Sequence, residues 1–70
     1  MNGSHFHIYA RTHDLKSVLE TMKKAPKLQQ DAYWYAGRPI EVRWVVKQSE
    51  LLKFVERLLR CDVEEVAVTK

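Results

Sequence analysis

Residues Ala32–Lys47, AYWYAGRPIEVRWVVK, decide the fold. Two runs of aromatic and β-branched residues flank Gly37-Arg38-Pro39, the pattern of a β-hairpin. A helix-like segment lies on either side of this stretch, and beyond each helix comes a strand-like run. The chain therefore reads as two β-α-β halves joined back to back at one turn.

Within the hairpin, Ile40, Val42, Trp44 and Val46 share one face of the second strand, and Glu41, Arg43, Val45 and Lys47 share the other. With a three-residue loop over Gly37–Pro39, Trp34 pairs with Val42 and points into the core beside the small Ala32 and Ala36. Tyr33 and Tyr35 then face outward, where a hydroxyl tolerates water better than an indole without a partner. A two- or four-residue loop slips the register by one and exchanges these roles. Lys27–Asp31 reads as a polar connection leading into the hairpin.

Before the hairpin, Phe6–Arg11 alternates Phe6, Ile8 and Ala10 with His7, Tyr9 and Arg11, as a half-buried strand does. Thr12 offers a hydroxyl to the first free amides of a helix, and Asp14 suits its positive end. Leu15, Val18, Leu19 and Met22 form one helical stripe, with an end expected near Ala25 because Pro26 stops it. Lys23 and Lys24 are expected in the last turn, where cations suit the dipole. After the hairpin, Ser49 is the expected cap of a second helix, with Glu50 in its first turn. Leu51, Leu52, Phe54, Val55, Leu58, Leu59 and Cys61 cover about half of that helix's circumference. One sheet face rarely covers so much, so either the helices pack on each other or an apolar flank is exposed. Val66 and Val68 then alternate with Glu65, Ala67 and Thr69 in a last strand.

This order, β-α-β-β-α-β with short connections, predicts an α+β ferredoxin-like two-layer sandwich. Its sheet would be four-stranded and antiparallel, in the order 4-1-3-2, with both helices on one face. Right-handed crossovers on parallel pairs of the first strand with the third and fourth give one compact solution. A ubiquitin-like roll is the alternative, but it needs a hairpin before the first helix, where only one strand lies.

Composition sets the bounds. Seventy residues make one small domain, expected over residues 5–70, with 1–4 read as a vector-derived or disordered start. An apolar content of 46% argues against intrinsic disorder, and a net charge of +3 is only mildly basic. Cys61 is the single cysteine and cannot close an internal disulfide, which suits a reducing, cytoplasmic setting. No apolar run approaches the roughly 18–20 residues that span a bilayer.

The face opposite the helices carries the candidate site. Tyr9, Tyr33 and Tyr35 interleave with Arg11, Arg43 and Lys47, an arrangement that gives bases a stacking platform and phosphates a counter-charge. The architecture resembles that of RNA-recognition-motif domains, which implies RNA more than DNA as the single-stranded ligand. The resemblance covers the fold alone: IEVRWVV carries Arg43 where that family's third strand places a stacking ring. Lys23, Lys24, Lys27 and Arg38 would extend the phosphate path. The alternative is a regulatory or adaptor protein acting by protein contact, and Tyr and Arg are common interface anchors. It would use His7, Tyr9, Val45 and Ala67, or pair as a homodimer through the open face or the second helix's flank at Leu52, Phe54 and Cys61. Tyr and Arg also populate any half-exposed sheet.

Nothing in the chain reaches a catalytic signature, so a non-enzymatic role without cofactor or small-molecule substrate is expected. His5 and His7 share a strand face, but no Cys or carboxylate stands at matching spacing, and no metal is expected. Ser17 and Ser49 read as a helix-face residue and a cap. Only Gly3 and Gly37 are glycines, too few for a phosphate-cradling loop. Small acyl-phosphate hydrolases share this architecture and use an Arg and an Asn at the first strand–helix turn. Arg11 is in that vicinity, but the only asparagine is Asn2.

Overall fold

The computed structural model describes residues 4–33, 36 and 40–70. The elements are β1 (His5–Thr12), α1 (Leu15–Met22), β2 (Gln29–Tyr33), β3 (Ile40–Lys47), α2 (Gln48–Leu58) and β4 (Glu65–Thr69). The result is an α+β domain with one four-stranded antiparallel sheet, ordered β2-β3-β1-β4. That is the expected order, read from the opposite edge. Among the described residues, no helix is long and apolar enough to cross a membrane.

The β1 neighbours run differently from the crossover reading. β1 is antiparallel to both β3 and β4. Each helix joins strands that run the same way, with an antiparallel strand between them, so the parallel pairing expected for β1 was incompatible with the sheet itself.

The alternation read along β1 and β3 holds. Ile8, Ala10, Val42, Trp44 and Val46 are buried and meet Leu15, Val18, Met22, Phe54 and Leu58 from the helices. Trp44 and Phe54 pack edge to face, with ring centroids 5.3 Å apart and an interplanar angle of 67°. The core lies over the two central strands. At the edges, Ala32 is exposed and Val68 is 41% exposed.

The hairpin register differs from the expectation. Ala32, not Trp34, pairs with Val42, and Tyr33 pairs with Glu41. The slip is two residues, and a two-residue slip preserves sides in a strand of period two, so Tyr33 still lies on the open face. The expected orientations of Trp34 and Tyr35, and the placement of Arg38, fall outside the described residues. β2 also starts earlier than read. Gln29, Gln30 and Asp31 belong to the strand rather than to a connection, and Gln30 Oε1 accepts a hydrogen bond of 2.9 Å from Trp44 Nε1. The core indole thus has a partner from the neighbouring strand.

The helix ends are corrected too. Asp14 is the N-cap of α1, its Oδ1 accepting from Ser17 N at 3.1 Å. Thr12 sits two residues back: its buried Oγ1 accepts from Asp14 N and donates to Asp62 O, both at 2.9 Å. That hydroxyl ties the start of α1 to the segment entering β4. α1 ends at Met22, about one turn before the proline, so Lys23 is its C-cap and Lys24 lies beyond it. Ser49 does not cap α2. The helix starts at Gln48, with Lys47 as N-cap and no side-chain capping bond.

Candidate functional site

The face of the sheet opposite the helices is set out by the strand registers. Across β2, β3, β1 and β4, one row reads Asp31, Arg43, Tyr9, Ala67. The row toward the hairpin reads Tyr33, Glu41, Arg11, Glu65, and the row on the other side reads Gln29, Val45, His7, Thr69. Lys47 stands opposite His5 at the far end of β3. Tyr9, Arg11, Tyr33, Arg43 and Lys47, together with His7, Val45 and Ala67, therefore share one surface.

Arg43 is the hub of this surface. Its guanidinium carbon lies 5.0 Å from the Tyr9 ring centroid and 4.7 Å from that of Tyr33, so one cation bridges rings from the strands on either side. Arg43 Nε also donates to Glu41 Oε2. This hydrogen bond raises the guanidinium pKa above its ordinary value; desolvation works against it, and the charge of Glu41 and the two tyrosines add to it. One row on, Arg11 Nη1 meets Glu65 Oε1 at 3.5 Å, and both side chains are well exposed. A depression of about 350 Å³ opens over Tyr9, Arg11, Glu65, Ala67 and Thr69.

Among the described residues, the charges on this face cancel. Asp31, Glu41 and Glu65 stand against Arg11, Arg43 and Lys47. Asp31 is the contributor that sequence reasoning missed. Its strand is exposed throughout, so the apolar alternation that marks β1 and β3 is absent. The available signal was the spacing of Gln29, Asp31 and Tyr33 at every second residue.

The remaining candidates are placed elsewhere. Phe54 is 1% exposed and packed on Trp44, so it belongs to the core and cannot serve the expected protein interface. The exposed side of α2 carries Leu52 and Leu59 instead. Lys27 Nζ donates to the carbonyls of Lys23 and Ala25, at 3.2 and 2.9 Å, and so closes the end of α1. His13 Nε2 lies against Glu64 Oε2, away from His5 and His7. Among the described residues, no group of three or more His, Cys, Asp or Glu side chains is arranged to hold a metal ion. Cys61 is a free, half-buried thiol directed at Arg57 O, 3.7 Å away. No protein family, no curated protein and no solved structure matches the chain.

Proposed function

We propose that this chain is a small, non-catalytic binding module of ferredoxin-like topology that works through its open sheet face and contacts another protein there. One observation carries the reading: the face is rich in Tyr and Arg, yet the formal charges of its described residues balance. A surface that tracks a nucleic-acid backbone needs an excess of positive charge, because affinity comes largely from neutralising phosphates. On this face Arg43 is already engaged by Glu41, Tyr9 and Tyr33, and Arg11 by Glu65. Mixed charge around aromatic anchors, with half-buried Val45 and small Ala67 beside them, suits a protein interface. An adaptor or regulatory role in a reducing cytoplasm, consistent with one free thiol, is part of the proposal.

A second reading has single-stranded nucleic acid, RNA before DNA, stacking on Tyr9 and Tyr33 with Arg11, Arg43 and Lys47 at phosphates. It draws on the two rings held side by side by Arg43. Fluorescence-anisotropy titrations with mixed single-stranded RNA and DNA at two salt concentrations separate the two. The protein-contact reading expects no saturable, salt-sensitive binding at tens of micromolar, roughly the nonspecific range. It also expects a protein partner whose recovery survives Leu52→Lys and is lost with Tyr9→Ala or Val45→Glu. Saturable nucleic-acid binding that Tyr9→Ala abolishes would replace it with the second reading.

A further inference from the structure

We infer that a second copy of this chain adds to the free edge of β4, antiparallel and centred on Ala67, so that two sheets become one of eight strands. This goes beyond the proposed role of the open face, which such edge pairing leaves uncovered.

The first observation is the edge itself. β4 is an outer strand, with β1 on one side and no strand on the other among the described residues. Alternate residues of an outer strand direct their backbone N–H and C=O groups away from the sheet. Soluble proteins usually protect such edges with lysines, prolines or bulges along the strand. The middle of β4, Val66-Ala67-Val68, has no charged residue and no proline.

Apolar surface lies along the same border. Leu52 is 71% exposed, Leu59 62% and Val68 41%; the other exposed large hydrophobics among the described residues are Leu28 and Tyr33. Val68 pairs with Ile8, which puts it on the helix side of the sheet. On α2, Leu52 and Leu59 share one side at about 100° per residue, and Arg57 is on the opposite side. Arg57 Nη1 reaches Thr21 O on α1, so the leucines face away from α1. α2 links β3 to β4, the strands that flank β1, and packs on both β3 and β1, so its side away from α1 is the side toward β4.

What favours a second copy over an unrelated strand is the charge order of Glu64-Glu65-Val66-Ala67-Val68-Thr69-Lys70. Laid antiparallel on itself about Ala67, it sets Lys70 opposite Glu64, Thr69 opposite Glu65, and Val68 opposite Val66. Each of these pairs occurs twice. Glu64 meets His13 within its own chain and keeps a side chain 45% exposed. Shifting the centre by one residue places Val68 against Glu64, or Val66 against Lys70, and forfeits the match. A parallel copy would align glutamate with glutamate, and directly opposed like charges destabilise a strand pair. Twofold symmetry also closes the assembly, because each β4 has one free edge.

The test is site-directed cross-linking of the full chain in a Cys61→Ala background. The two copies of residue 67 would have Cα atoms about 4.5–5.5 Å apart, within disulfide range. Ala67→Cys is expected to give a covalent dimer on mild oxidation. Glu65→Cys and Thr69→Cys are each expected to stay monomeric alone and to cross-link when mixed. Sedimentation of the unmodified chain is expected to show mass rising with concentration, and Leu59→Lys to weaken association about tenfold, the loss typical of one interface anchor. Circular dichroism checks that each variant stays folded. A monomer mass up to about 1 mM, the weakest association worth assigning, would overturn the proposal. So would cross-linking of Glu65→Cys as readily as Ala67→Cys. Val45→Glu leaves the seam intact, so loss of the open-face partner and loss of this dimer are read separately.

Discussion

Gln30 and Trp44 show how one polar side chain makes a core position possible. Trp44 is 1% exposed, and its indole N–H meets Gln30 Oε1 across the β2–β3 pair. A buried donor without a partner costs about 1–3 kcal/mol. Gln30→Leu is therefore expected to lower unfolding stability by about that amount, while Gln29→Leu on the opposite face shifts it by less than about 0.5 kcal/mol; urea denaturation compares the two. Thr12 is the second such residue. Its hydroxyl serves Asp14 N and Asp62 O, and Thr12→Val keeps the shape while removing both bonds. The expected loss is again about 1–3 kcal/mol, read in the same denaturation experiment. Neither partnership is visible in the sequence. Thr12 reads as a capping residue and Gln30 as loop, because Asp62 and Trp44, the partners that define their roles, are distant in the chain.

Among the elements, the two helices start in different ways. α1 is capped by Asp14, whereas α2 follows β3 without a break and has no side-chain cap. Asp14→Ala should cost about 1 kcal/mol and Ser49→Ala less than about 0.5 kcal/mol, the reverse of the emphasis that Ser49 invites. The apolar half of α2 divides in the same concrete fashion. Phe54 and Leu58 are core, and Leu52 and Leu59 are surface. Phe54→Ala is expected to cost about 3–5 kcal/mol. A domain of this size rarely has more than about 3–5 kcal/mol to lose, so the variant should appear largely unfolded by far-UV circular dichroism. Leu52→Lys should retain its stability in dilute solution. The helical stripe was legible as a period of 3.6 residues. Which part of it meets the sheet depended on α1 lying along the Arg57 side.

For the molecule as a whole, the core is small and concentrated over β1 and β3, so association is a natural source of added stability. If β4 pairs with its twin, Tm rises with protein concentration, and Leu59→Lys shifts that rise to about tenfold higher concentration while leaving the dilute-limit Tm unchanged. Scanning calorimetry over a hundredfold concentration range reads both. The element order, the faces of β1 and β3 and the apolar stripes of both helices were determined by the sequence itself. Periods of two and 3.6 residues are local properties of the backbone, and they persist along a chain whatever packs against it. The tertiary structure decided the rest. Ala32 rather than Trp34 lies against Val42, Asp31 joins the open face and balances the charges of its described residues, and Phe54 is taken into the core while Leu59 is left outside. These depend on which neighbour reaches a residue first: strand register is set by the partner's hydrogen bonds, and burial by the elements that arrive from elsewhere in the chain.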